Sequence, residues 1–105
     1  MAHVLVARPR FTRTVTEEEV QRALSEAVTL YEQSGGFHAF YCVRVSDREV
    51  MNISFWDSQE DAERGFAAAR PSMTALAGEM MEGPPEQSSG DLIFTYRVEQ
   101  GTAAG

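Results

Sequence analysis

Apolar and polar positions divide the chain into six segments, each with the spacing of a strand or a helix. Two-residue alternation or β-rich composition predicts strands over His3–Phe11, Phe37–Val45, Val50–Trp56 and Leu92–Val98. Apolar residues at helical spacing predict one helix that begins after Thr16 and ends at Ser34-Gly35-Gly36, and a second that begins at about Ser58. The segment order is therefore strand, helix, strand, strand, helix, strand.

Short polar motifs support these boundaries. Thr16 with Glu19 three residues later is a capping box, in which each residue binds the other's backbone amide. Ser58 with Asp61 is a similar helix start, with Asp in place of Glu. Ser46–Glu49 is a short polar stretch that favours a tight turn, so the two strands around it are expected to form a hairpin.

The second half of the chain contains two interruptions. Pro71 lacks an amide hydrogen and clashes with the preceding helical turn, so we expect a break or sharp kink near Arg70. Glu82–Asp91 is rich in Pro, Gly and Ser, which predicts a mobile loop suited to cover the entrance of a pocket. Glu99–Gly105 has the composition of a frayed tail.

This order of elements predicts an α+β, ferredoxin-like fold with two helices on one face of an antiparallel sheet. We expect one domain over residues 1–98 and a flexible tail over 99–105. The other face of the sheet needs cover, and packing it on a second copy would give a homodimer with two facing sheets, a dimeric α/β barrel. We assign Phe40, Asn52 and Trp56 to this dimer interface.

Composition narrows the classes of partner. A chain of 105 residues, 43% of them hydrophobic, predicts one domain with a modest core. The net charge is −7 and all nine basic residues are Arg, without a basic run, so we expect no nucleic-acid partner. Cys42 is the only cysteine, and no apolar run reaches the length of a membrane span or signal segment. We therefore expect no membrane association and a reducing cytoplasmic location.

Three short motifs carry a resemblance to a known family. Gly36-Phe37 opens the second strand, Trp56 closes the third, and Ser58-Gln59-Glu60-Asp61 opens the second helix. In these motifs and in the order of its elements, the chain resembles the antibiotic-biosynthesis monooxygenase-like family of dimeric α/β barrels. The resemblance implies relatives that include cofactor-free oxygenases of polycyclic aromatic phenols or quinols, haem-degrading enzymes and proteins with no known reaction.

The haem-degrading branch of that family is a poor match. It has an Asn in the first strand and a Trp and a His on the second helix, where this chain has Val6-Ala7-Arg8, Gly65-Phe66 and Ala75. The quinol-oxidising branch also tends to have a His on that helix, and no His lies between Ser58 and Met81. We expect no haem and no other cofactor, and it stays open whether the protein is an enzyme.

Aromatic and polar side chains are candidates for a pocket between the sheet and the helices. The pocket candidates are His38, Tyr41, Phe55, Phe66, Arg70 and Met73. Arg70 and His38 are the groups suited to bind a phenolate or enolate. The ordinary alternatives are core packing for the apolar side chains, solvation for Arg70 and a surface position for His38.

The remaining reactive residues are assigned no chemistry. His3 and His38 are the only histidines and lack the spacing of metal ligands, so we expect no metal site. Cys42 is expected to be an inert core residue.

Two functions are compatible with these features. The first is a cofactor-independent monooxygenase of an electron-rich aromatic phenol or quinol, bound as a small ligand, with its catalytic residues unassigned. The alternative is a dimeric ligand-binding or structural barrel without catalysis. An open pocket beside Phe66 and Arg70 favours the first function, and a filled core favours the second.

Overall fold

The computed structural model describes residues 2–98, apart from the side chains of residues 76 and 77. Its elements are β1 (His3–Arg8), α1 (Glu17–Ser34), β2 (Phe37–Ser46), β3 (Glu49–Trp56), α2 (Gln59–Ala77), a 3-10 turn (Gly78–Met80) and β4 (Glu86–Asp91). The strands form one antiparallel sheet in the order β2-β3-β1-β4. The predicted ferredoxin-like α+β fold is confirmed, whereas the predicted tail over 99–105 lies outside the described residues.

Both helices begin at the predicted caps. The Thr16 hydroxyl accepts a hydrogen bond from the Glu19 amide at 3.1 Å, and the Glu19 carboxylate accepts one from the Thr16 amide at 2.9 Å. The Ser58 hydroxyl accepts from the Asp61 amide at 3.1 Å. In the part of the chain that the structure describes, no helix is both long and apolar enough to span a membrane.

The α2 helix continues through Pro71, so the predicted break near Arg70 is wrong. Ala69 is buried and Met73 is half-buried, and both pack against the same hydrophobic cluster. This packing on both sides of Pro71 outweighs the loss of one helical hydrogen bond. The Pro71 ring itself is exposed, and the α-helical conformation ends only before Gly78.

The last strand is Glu86–Asp91. Residues 92–98 form no strand in the structure, so the prediction of a strand over Leu92–Val98 is wrong. Every side chain of β4 is exposed and none is apolar, but its backbone pairs with β1 over six residues. Backbone hydrogen bonds between strands need no apolar side chains, so the polar composition of residues 86–91 did not predict a strand. The predicted loop over Glu82–Asp91 is correspondingly reduced to residues 82–85.

An irregularity in β2 changes which residues face the helices. The register shifts between Phe37 and Ala39, and as a result Phe37 and Phe40 both point toward α1. Their ring centroids lie 5.5 and 6.1 Å from that of Tyr31. An unbroken strand would have placed the two phenylalanines on opposite faces of the sheet.

Trp56 lies in the centre of the core. It is fully buried, and its ring centroid lies 5.2 Å from that of Tyr31 and 5.1 Å from that of Phe37. Its Nε1 donates to the Ser54 hydroxyl at 2.8 Å, and that hydroxyl donates to the Leu5 carbonyl at 3.4 Å. The indole nitrogen of Trp56 and the hydroxyl of Ser54 are therefore both paired, which makes their burial beneath the helices favourable.

The assignment of Phe40, Asn52 and Trp56 to a dimer interface is corrected by this arrangement. All three lie on the face that the helices cover, because Phe40 and Trp56 pack in the core and Asn52 pairs with the buried Ala7. The opposite face, here called the outer face, carries Val4, Val6, Tyr41, Val43, Met51, Ile53 and Phe55. The sheet therefore has an apolar face away from the helices, as expected, but the residues of the outer face form it and Phe40, Asn52 and Trp56 do not.

Gly65 gives a first stability prediction, because a Cβ atom there would lie 2.2 Å from Cη2 of the buried Trp56. Alanine normally stabilises a helix interior over glycine by about 0.5–1 kcal/mol. At this position we expect Gly65→Ala to lower the free energy of unfolding by about 1–3 kcal/mol, since the packed indole must move. Urea unfolding of the variant and the wild type measures the difference.

The matched control is Gly78→Ala. Gly78 has φ −56° and ψ −41°, and its nearest neighbour to an added Cβ is Thr74 Cγ2 at 3.4 Å. We expect this variant to be at least as stable as the wild type. Equal stability of the Gly65 and Gly78 variants would contradict the close packing of α2 on Trp56.

Candidate functional site

A cavity of about 630 Å³ lies between the sheet and the two helices. Its lining is mainly apolar and comes from all four strands, both helices and the segments after β1 and α2. Among its lining residues are Leu5, Ala7, Phe11, Leu24, Phe40, Phe66, Met73, Met80 and Met81. Phe66 and Arg70 both border the cavity, so the structure contains the open pocket that favours the monooxygenase hypothesis over the filled core.

Tyr31 and Phe66 form an aromatic wall of this cavity. Their rings are parallel within 5°, with centroids 6.0 Å apart, and Tyr31 meets Trp56 edge to face. Burial raises the pKa of Tyr31 from 10 to about 12, which disfavours its ionised form still further, and the protonated hydroxyl is a hydrogen-bond donor. Tyr31 lies in the first predicted helix, where helical spacing of apolar residues does not distinguish a cavity residue from a core residue.

Asn52 is the polar residue of the cavity with an unused buried atom. Its Oδ1 is shielded from solvent and has no hydrogen-bond partner among the described residues. An unpaired buried oxygen costs about 1–3 kcal/mol, and a bound hydroxyl would remove that cost. Because Oδ1 makes no hydrogen bond to any residue within 2–98, the amide can turn toward a ligand without breaking a bond to that oxygen.

Two charged side chains border the cavity. The Glu19 carboxylate accepts from Arg13 Nη2 at 2.7 Å and from the Thr16 amide, and these bonds lower its pKa to about 2. Arg70 is exposed and forms no ion pair within residues 2–98. The cavity therefore has a carboxylate that is already bound and a guanidinium that is available to an anionic ligand.

The lowered pKa of Glu19 predicts how stability depends on pH. Its folded value of about 2 lies below the ordinary 4.5, so the ionised carboxylate stabilises the fold above pH 4.5, and the effect declines as pH falls toward 2. We expect Glu19→Gln to lower Tm at neutral pH and the difference from wild type to shrink over that range. Thermal unfolding at a series of pH values measures it.

Glu18→Gln is the control for this series, because Glu18 lies in the same helical turn but pairs with Arg22 rather than Arg13. The same pH dependence in both variants would assign the effect to the helix terminus in general. It would contradict a specific role for the bonds from Arg13 and Thr16.

The segment after α2 contributes to the cavity wall. Gly83, Pro84 and Pro85 are among the lining residues. The segment is attached to the linker after β1, since the Glu82 amide donates to the Arg10 carbonyl at 2.9 Å. Residues 83–85 thus line the cavity, while the preceding Glu82 is held by a backbone hydrogen bond.

The structure brings only some of the predicted pocket residues together. Phe66, Arg70 and Met73 line the cavity, and so do Phe40 and Asn52 from the set assigned to the interface. The other pocket candidates, His38, Tyr41 and Phe55, do not line it.

Those three candidates lie elsewhere for reasons of strand geometry. Tyr41 and Phe55 pack edge to face on the outer face, with centroids 6.0 Å apart, because their register partners point away from the helices. His38 is exposed at the irregular start of β2, in hydrogen-bond contact with Asp57.

The histidines and the cysteine form no common site in the structure. His3 is buried, with Nδ1 3.6 Å from the Asp91 carboxylate, whereas His38 contacts Asp57. Within residues 2–98, no three His, Cys, Asp or Glu side chains are grouped in a way that could hold a metal ion. Cys42 is exposed beside α1 rather than in the core, and partial burial raises the pKa of its thiol.

Comparison by structure identifies proteins with the same fold. No protein-family model matches the sequence, and neither does any curated protein. A protein of unknown function from Nitrosomonas europaea, NE2512, superposes with a TM-score of 0.72 at 13% identity, over 92% of this chain and 94% of that one. SnoaB, a cofactor-independent oxygenase from Streptomyces nogalater, gives 0.67 at 19% identity, over 95% and 97%.

A third similar structure contains a bound ligand. It is a monooxygenase from the gene ActVA-Orf6 of Streptomyces coelicolor, in complex with nanaomycin D, with a TM-score of 0.71 at 19% identity over 93% of each chain. At these identities the comparisons show the fold alone. The resemblance noted in the sequence is therefore confirmed at the level of fold, which is the one adopted by antibiotic-biosynthesis monooxygenase-like proteins.

Proposed function

We propose that this protein is a cofactor-independent monooxygenase that oxidises an electron-rich aromatic phenol or quinol. The observation that carries the proposal is the cavity of about 630 Å³, whose lining includes Asn52 with its unpaired buried amide oxygen. An apolar cavity with a few polar groups is typical of a small-molecule site. The shared fold with the SnoaB oxygenase and the ActVA-Orf6 monooxygenase supports the same class of reaction.

The cavity suits a flat, partly polar ligand. Its aromatic wall of Tyr31 and Phe66 presents parallel rings against which an aromatic ring system can pack. The Asn52 amide offers an acceptor for a phenolic hydroxyl and donors for an anionic oxygen. Arg70 places a positive charge beside the cavity, which favours a ligand that ionises to a phenolate.

The protein's contribution to the reaction is to favour the substrate anion and exclude water. The phenolate is a better electron donor than the phenol, and it transfers electrons to O₂ directly. In the overall step a phenol and O₂ give a quinone and water: one oxygen atom forms the new carbonyl group. The other leaves as water with the hydrogens of the phenolic O–H and the replaced C–H. Asn52 and Arg70 stabilise the anion, and the apolar walls keep bulk water from the intermediate.

Oxygen uptake tests this proposal. Protein treated with a chelator is mixed with hydroxylated aromatics of one, two and three fused rings, and O₂ is followed with an electrode. We expect uptake above the rate of buffer for at least one ring size, with one O₂ consumed per quinone formed. Tight binding of these compounds without any uptake would support the ligand-binding alternative and overturn the monooxygenase proposal.

We also propose that the protein acts as a homodimer. The outer face of the sheet supports it, because seven apolar residues lie there with no helix to cover them. Tyr41 on this face is 58% exposed and Val43 is 45% exposed, which is unfavourable for a face left in water. A second copy packed on this face would bury both outer faces at once.

A further inference from the structure

A second hollow, here called the groove, lies between α1 and the edge strand β2 and has a volume of about 460 Å³. One stripe of α1 at helical spacing forms one side of it, from Glu17 to Val28. The inward-facing side chains of β2 form the other side, and Cys42 is among them. Gln21, Ser25 and Cys42 line the groove and are exposed, so the groove is open to solvent.

A single layer of apolar side chains separates the groove from the cavity. The residues that line both spaces are Val20, Leu24, Phe40 and Val50. All but Val50 are half-buried, and none has a polar group that a hydrogen bond could fix. Small rotamer changes of such side chains open gaps for a small apolar molecule. Ions and water cross an apolar layer less readily, because they lose hydrogen bonds there.

The groove lies directly beside Asn52. Cys42 of the groove and Asn52 of the cavity are partners in the register of β2 and β3, and both point toward the helices. Partner side chains on one face of an antiparallel pair have their Cβ atoms about 5 Å apart. A molecule that crosses the apolar layer at this level therefore arrives next to the amide that holds the substrate anion in the proposed reaction.

We propose that O₂ enters the cavity from the groove, between the side chains of Leu24 and Phe40. The inference rests on the proposed monooxygenase function and adds how its second substrate reaches the first. O₂ must arrive while the aromatic substrate lies against the wall of Tyr31 and Phe66. The groove gives O₂ a route of its own, and its apolar layer admits this small apolar molecule while it keeps bulk water out.

Cys42 allows the groove to be filled without a change in the cavity. It is exposed, it lines the groove but not the cavity, and it is the only cysteine. A methanethiosulfonate reagent forms a mixed disulfide with Cys42 and releases methanesulfinate. We expect a cyclohexyl reagent to lower kcat/KM for O₂ by about fivefold or more, and a methyl reagent by less than about twofold. The Kd of the phenol, measured without O₂, should stay unchanged.

The control carries the same cyclohexyl group away from the groove. In Cys42→Ser combined with Thr29→Cys, the label lies at an exposed position of α1 that lines neither the groove nor the cavity. We expect kcat/KM for O₂ to equal that of the unlabelled protein. A loss as large as that in protein labelled at Cys42 would assign the effect to the label in general and overturn the route.

Fluorescence of Trp56 follows the entry of O₂ without any turnover. Trp56 is the only tryptophan, is fully buried and packs on Tyr31 of the cavity wall. Quenching of its fluorescence lifetime by dissolved O₂ is compared with and without the cyclohexyl group on Cys42. We expect a lower quenching constant in the protein labelled at Cys42 and no change in the Thr29→Cys control.

The two readouts separate the route from the reaction. If the protein takes up O₂ with a phenol, an unchanged kcat/KM for O₂ after cyclohexyl labelling would overturn the route and leave the monooxygenase standing. If no phenol gives uptake, the monooxygenase is overturned, and the quenching constant alone decides whether O₂ enters from the groove. A lower constant after labelling then supports that entry, and an unchanged one overturns it as well.

Discussion

Trp56→Ala is expected to lower the free energy of unfolding by about 3–5 kcal/mol, the range for removing a large aromatic residue from a core. Trp56 is fully buried and packs on Tyr31 and Phe37, so its removal leaves a void that these rings cannot fill without moving. It also removes the donor to the Ser54 hydroxyl. Denaturant unfolding followed by far-ultraviolet circular dichroism measures the loss, and does not depend on the deleted fluorophore.

Trp56→Phe is the matched variant, because it keeps an aromatic ring and removes the indole nitrogen and the second ring. We expect an intermediate loss, of about 1–3 kcal/mol. If Trp56→Ala unfolded at the same denaturant concentration as the wild type, Trp56 would not be the centre of the core. The earlier assignment of this residue to a surface between chains would then have to be reconsidered.

Asn52→Ala is expected to reduce kcat/KM for the phenol by about 10- to 100-fold, the effect of one hydrogen bond to a charged group. The amide lines the cavity, and its oxygen has no partner within the described chain, so its removal breaks no internal bond to that atom. Stability should therefore change little or increase. Steady-state oxygen uptake together with thermal unfolding distinguishes this result from a general loss of structure.

Gln87→Ala is the control for Asn52, since Gln87 is also an amide that lines the cavity, but it is exposed on the edge strand β4. We expect its kcat/KM to stay within about twofold of the wild type, as for a surface substitution. Equal losses of kcat/KM in the two variants would mean that any substitution in the cavity lining lowers activity, without a specific role for Asn52. An unchanged Asn52→Ala variant would remove the amide from the proposed mechanism.

The parts of the fold that the sequence predicts well are those set by near neighbours in the chain. The capping box of Thr16 and Glu19 lies within one helical turn, and the hairpin depends on the short polar turn between β2 and β3. These local interactions do not depend on contacts with distant parts of the chain. The order of elements follows from them, and so does the α+β class.

The wrong predictions concern residues whose state is decided by distant contacts. The helix passes through Pro71 because Ala69 and Met73 pack on the core on either side. β4 forms from polar residues because β1 offers a free edge at that point. Leu92–Val98 has a strand pattern but no strand partner in the described part of the chain, and the pattern alone cannot show whether a partner is present.

The candidate site was predicted in part for a related reason. Both faces of the hairpin carry apolar residues, so alternation did not indicate which face the helices cover. Two features determine which face the helices cover: the register shift between Phe37 and Ala39, and the hydrogen bond from Trp56 to the Ser54 hydroxyl. Neither is visible as a sequence pattern. Phe66, Arg70 and Met73 line the cavity because they lie on α2, which has one buried side.

The central claim is that O₂ reacts with a phenol held in the cavity beside Asn52, and oxygen isotope labelling tests it most directly. Chelator-treated protein is loaded with substrate without oxygen, and ¹⁸O₂ is then admitted in ordinary water for a single turnover. We expect one ¹⁸O atom in the quinone, with the second in water, and a lower yield of labelled quinone in Asn52→Ala. A quinone whose new oxygen comes from water, or a labelled yield no greater than in protein-free buffer, would contradict it.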